Sequence, residues 1–279
     1  MERYVNVFRK SLRDQRWQIV GFGLALLSIA ALDVIIWPTY RDTVATIQLP
    51  EAVQALLGSD LSYGTAAGFI SAEFFSWIPI LLIVYAVIQG TGALAGEESS
   101  GTIDLLLAQP VARSTLVVQK CAAVLVGSAL IVTLGYLGFV LSIPFVRIEI
   151  SLGDAALASA NMLPITVLFF ALSLWLGAVA PNRTYASGGA IAVATAAYFA
   201  NTIAAGVHSL SGVRYASPFY YYGAGLPLVK GIDWPHVSIL LGVAALFIAL
   251  TVRSFQRRDI TIGGASNVGL RALMRRAVG

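Results

Sequence analysis

The chain has 279 residues, 58% of them apolar and only 11% charged, with a net charge of +4 and a mean hydropathy of +0.80. A water-soluble chain carries about a quarter charged residues, so this composition excludes an ordinary soluble domain and calls for lipid as part of the solvent. The small net charge offers no nucleic-acid surface, and Cys121, the single cysteine, allows neither an internal disulfide nor a cysteine metal cluster.

In chain order, the first predicted element is an amphipathic helix over 1–18. Tyr4, Val5, Phe8 and Leu12 recur at helical spacing, and Arg3, Arg9, Lys10, Arg13 and Arg16 occupy the remaining face. That is the pattern of a helix lying in a membrane interface. The apolar run that follows is too long for a signal-peptide core and lacks a small-residue cleavage site, so no cleavable leader is expected. Six runs are long enough to cross a hydrocarbon layer of about 30 Å as helices. They fall at 19–37, 69–95, 121–142, 157–180, 187–207 and 234–252. None alternates apolar with polar residues as barrel strands do. The expected fold is an all-α polytopic membrane protein, with a six-helix domain over 19–252 and a basic tail over 253–279.

Charge placement sets the orientation. Fourteen of the eighteen basic residues fall on the side of the termini, and only Arg41, Arg147, Arg214 and Lys230 fall opposite. The positive-inside rule then places both termini in the cytoplasm. On the outer side Trp37, Tyr40, Trp234 and Tyr220 to Tyr222 read as an interfacial aromatic belt, and Pro50 to Leu57 as a short helix closed by Gly58. The 208–233 loop reads as an outer gate over a cavity mouth, with His208 at the interface.

Polar residues within the runs are few. Asp33 and Glu73 lie about a turn from the outer ends, where solvation is cheap. Asn161 and Asn201 read as hydrogen-bonding glue between helices. Gln89, two turns before the end of the second span, is a candidate to line a cytoplasm-facing cavity. Pro79 and Pro164 are expected to bend the second and fourth spans. In the fifth span, Gly188, Ala192, Ala196 and Ala200 form a small-residue face that suits either internal packing or pairing with a second subunit.

Between the second and third spans, Glu97 and Glu98 favour a helix N-terminus and Pro110 limits the helix at its far end. Ile103, Leu106 and Leu107 then make an apolar stripe facing the cytoplasm, which lipid headgroups or another protein must cover. Composition does not choose between them.

The segment Glu97-Glu98-x-x-Gly101-Thr102-x-x-Leu105-Leu106-Leu107-x-x-Pro110-x-x-Arg113, lying between the second and third of six spans, resembles the signature of the ABC type-2 permease family. The resemblance implies a cytoplasmic coupling helix that docks on a separate ATPase. Glu97, Glu98, Gly101, Thr102, Leu105, Leu106, Pro110 and Arg113 would then contact or shape the docking surface, and the fifth span would lie near a subunit interface. The chain has no Gly-x-x-x-x-Gly-Lys-Ser/Thr loop, so it is expected to be no enzyme and to bind no cofactor or metal, with ATP and Mg held by the partner. The implied partners are ABC ATPase subunits, a second copy of the chain or a related permease, and the lipid bilayer, with no nucleic acid. The implied function is export of an amphipathic drug, peptide or lipid-like substrate across a bacterial or archaeal plasma membrane. One subgroup supports maturation of a periplasmic copper enzyme, and Leu105 to Pro110 resembles that subgroup too. The strongest reading of another class, an ion-coupled secondary transporter, calls for charged residues deep in mid-span, where this chain is neutral.

Overall fold

The computed structural model describes residues 2–44, 64–93, 113–146, 148–223 and 227–257. Within them, six helical stretches are long and apolar enough to cross a bilayer: Val7–Arg41, Ala66–Thr91, Ser114–Phe145, Leu152–Val179, Arg183–Gly206 and Trp234–Ser254. The chain is an all-α polytopic membrane protein. The bundle end where the first helix begins is called proximal below, and the opposite end distal. The expected helix over 50–57, the segment 94–112 and the tail beyond 257 lie outside the described residues.

The first helix runs unbroken from Glu2 to Val44. No boundary appears at residue 18, because neither proline nor glycine interrupts the chain before Gly21 and a started helix propagates one hydrogen bond per residue. At 43 residues and about 1.5 Å per residue it is roughly twice as long as a hydrocarbon core is thick. The amphipathic start therefore forms the first turns of the spanning helix rather than a separate element.

The second and fourth spans are both broken, each just ahead of its proline. Thr65 caps a short helix, Ala66–Ile70, by accepting from the Gly68 N–H. A π-helical turn then covers Ser71–Phe75, and a regular helix resumes at Ile78–Thr91. The fourth span runs Leu152–Ala160, turns at Asn161 and continues as Met162–Val179. A proline cannot donate to the carbonyl four residues back and its ring crowds that carbonyl, so Pro79 and Pro164 disturb the helix before themselves.

The first helix packs most extensively on the third-span helix, Arg113–Ser142, through glycines. A Cβ at Gly138 would lie 2.5 Å from the Leu27 carbonyl oxygen, and one at Gly23 would lie 2.3 Å from a Leu134 methyl group. The fourth span is the centre of the bundle, with the second and sixth spans packed against it. Its Phe169, Phe170 and Leu174 are buried, and Trp175 meets Phe247 of the last helix at 5.5 Å. By contrast the fifth-span helix, Arg183–Gly206, buries only Ala186, Ala190 and Ala204. Exposed apolar side chains such as Leu24, Leu32, Ile191 and Leu246 face the surroundings, as helices solvated by lipid require.

Candidate functional site

At the proximal end, polar side chains tie three spans together. Tyr85 of the second span donates to Gln15 Oε1 at 2.6 Å, and Gln15 Nε2 donates onward to the Ala123 carbonyl of the third span at 2.9 Å. All three groups are buried. Gln89 donates to Gln18 one turn further out. Lys120, itself buried, donates to the Ala93 carbonyl at 2.7 Å, which links the second and third spans where both approach the 94–112 segment. Gly127 is required beside this chain of bonds, since a Cβ there would lie 2.2 Å from the Tyr85 hydroxyl. Buried hydrogen bonds between helices are retained in lipid because the freed groups find no water.

Gln89 lines a polar cavity of about 210 Å³, together with Gln15, Gln18, Lys120 and Arg183. The proposed segment residues Glu97, Glu98, Gly101, Thr102, Leu105, Leu106 and Pro110 lie outside the described residues, and Arg113 opens the third-span helix directly after them. The cavity therefore sits at the root of that segment.

Midway along the bundle, an apolar groove of about 280 Å³ lies between the second and fifth spans. Ile83 and Val87 form one wall, Ile191 and Tyr198 the other, and Phe219 closes the distal end. On the fifth span Gly188, Ala192 and Ala196 are exposed and Ala200 is half-buried, while Ala186 and Ala190 face the bundle. The small-residue stripe thus points away from the rest of this chain. The glycines that do bring helices together, Gly23, Gly90 and Gly138, lie on the first three spans. Their irregular spacing within apolar runs gives no stripe in the sequence.

The distal segment 207–223 packs closely against the bundle. His208–Ala216 forms 3-10 turns, and Ser217 caps a short helix, Pro218–Tyr222, that ends at left-handed Gly223. Ser217 donates to the Ala197 carbonyl at 2.7 Å, and Tyr222 donates to the Phe75 carbonyl at 2.9 Å. Asn161 Nδ2 donates to the Tyr222 carbonyl at 2.8 Å. Asn161 is thus glue, as expected, but to the distal segment rather than to another span. Asn201 departs from that expectation: its Oδ1 is buried with no hydrogen-bond partner among the described residues. Trp37 and Tyr222, expected in the aromatic belt, are buried, whereas Tyr40 and Trp234 are exposed. Packing against Phe69 at 5.3 Å and the bond to Phe75 draw those two rings inward. Glu73 is exposed, but Asp33 is half-buried and its Oδ2 has no hydrogen-bond partner among the described residues. Among the described residues no group of three metal-ligating side chains occurs.

A family model described as ABC-2 family transporter protein matches residues 5–260, nearly the whole chain and all six spans. No curated protein matches it. Six helices long and apolar enough to cross a membrane are consistent with that match. The chain belongs to the ABC-2 transporter family and is a multi-pass membrane permease subunit.

Proposed function

We propose that this chain is the exporting membrane subunit of an ATP-driven transporter, coupled through residues 97–113 to a separate ATPase that binds ATP and Mg. Substrates would be amphipathic, namely drug-like, peptidic or lipid-like molecules. The observation that carries the reading is the junction at the root of that segment. Lys120 to Ala93 ties the second and third spans, and Tyr85, Gln15 and Ala123 join the first span to both. A force applied between Ala93 and Arg113 is thereby delivered to three spans at once. The apolar groove between the second and fifth spans suits an amphipathic substrate drawn from the bilayer, and the outward small-residue stripe suits pairing with a second permease.

Coexpression of the chain with its ATPase tests the reading. Glu98→Lys or Leu106→Asp should abolish copurification and transport while leaving membrane insertion intact, because a docked contact that gains an unpaired charge loses roughly 2–5 kcal/mol. Normal transport by both variants would refute it. Orientation is tested by labelling single cysteines in intact cells on a Cys121→Ser background. Positions near Ser59 and Ser211 should react and those near Gly279 should not, and the reverse pattern would invert the topology.

A further inference from the structure

The proximal cavity is chemically unlike the rest of the membrane domain. In a chain with 11% charged residues it collects Lys120, Arg183 and Asp14 with three glutamines in about 210 Å³. The glutamines are engaged, Gln15 with Tyr85 and Ala123 and Gln18 with Gln89, so they fix the walls. Lys120 is buried and engaged with Ala93, so it too belongs to the walls. Arg183 differs from them. It opens the fifth span, is exposed, and its guanidinium has no hydrogen-bond or ion-pair partner among the described residues. The guanidinium rests over Gly92, where a Cβ would lie 3.4 Å from one of its nitrogens. Five N–H donors in a planar fork at the mouth of a polar cavity match a phosphate better than any other common anion of a membrane interface.

The surface above the mouth fits the rest of such a ligand. Ser11, Asp14, Gln15 and Gln18 of the first helix line the cavity. One or two turns deeper along the same helix Gly21, Leu24 and Ala25 are exposed, and a Cβ at Gly21 would meet nothing within 4 Å. A polar cavity followed along the same helix by exposed apolar surface suits a headgroup with its acyl chain. Exposed Asp14 and half-buried Ser11 at the rim offer acceptors for headgroup hydroxyls, and Asp14 disfavours a second negative group.

We propose that this cavity is a binding site for a singly anionic phospholipid with a hydroxylated headgroup, its phosphate on Arg183 and its chain along Gly21 to Ala25. The site stands apart from the exporter reading and holds whichever direction the protein transports.

Native mass spectrometry of the detergent-purified chain, offered phosphatidylglycerol and phosphatidylcholine in equal amounts, tests the site. Phosphatidylglycerol should be retained preferentially. Arg183→Gln should lower that retention about fivefold, the effect of one cation near an anionic surface. Arg253→Gln, which removes an equally exposed cation from the last helix, should leave it unchanged. Excess inorganic phosphate should not displace the lipid. Equal retention of the two lipids, equal loss in both variants, or displacement by phosphate alone would each overturn the proposal. The last would mark a site for the free anion.

Discussion

Tyr222 donates its hydroxyl to the carbonyl oxygen of Phe75 at 2.9 Å. Phe75 lies four residues before Pro79, so its carbonyl is the one that loses its helical partner when proline occupies position 79. The main-chain oxygen of the same tyrosine accepts from Asn161, at the break ahead of Pro164. One residue of the distal segment therefore repairs the second span and pins the fourth. The two proline breaks are held in a fixed relation through it.

Tyr222→Phe should keep the ring's packing and lose the bond. The orphaned carbonyl costs about 1–3 kcal/mol where it is sealed from water, and nearer 0.6 kcal/mol if the turn relaxes. Burial pushes the Tyr222 phenol pKa well above its usual value, so it remains a donor wherever the fold persists. Stability from this group is complete below the unfolded pKa of about 10 and declines as pH rises past it, because only the unfolded phenol then ionises. Thermal melts in detergent across pH 7 to 11 should show a shallower alkaline decline in Tyr222→Phe than in the native chain.

A buried and an exposed glycine of the bundle should respond differently to alanine. A Cβ at Gly90 would lie 2.6 Å from Ser173 Cβ and 2.8 Å from the Phe170 carbonyl oxygen, so the second and fourth spans must separate. Such overpacking costs about 1–3 kcal/mol. At Gly188 a Cβ would meet nothing within 4 Å, and Gly188→Ala should change stability by less than about 0.5 kcal/mol. Equal losses at the two positions in a denaturant titration would contradict the packing described.

The exposed stripe of the fifth span separates folding from pairing. Ala192→Leu and Ala196→Leu meet no other span of this chain, so the monomer should fold and melt normally. If the stripe is the pairing surface, both should reduce disulfide crosslinking between copies carrying single cysteines along this span. Crosslinks confined to another span would make the stripe a lipid-facing surface.

The sequence by itself determined the six spans, their order and the class of fold, because lipid leaves a chain no choice but to satisfy its backbone within helices. It also marked Pro79 and Pro164 as bends, since a missing donor is a local property. Gln89 was legible as a cavity residue because a polar side chain inside an apolar run needs polar company, and the structure places it beside Gln18. What company it keeps, and where each break falls, only the tertiary structure decided. Gln15 sits in an arginine-rich amphipathic stretch whose pattern does not single it out, yet it is 3% exposed between Tyr85 and Ala123. Tyr222 reads as one of three belt tyrosines, and its neighbours Tyr220 and Tyr221 are only half-buried. Hydropathy records whether a residue tolerates lipid, whereas these roles depend on partners 70 and 147 residues away, which no local pattern encodes.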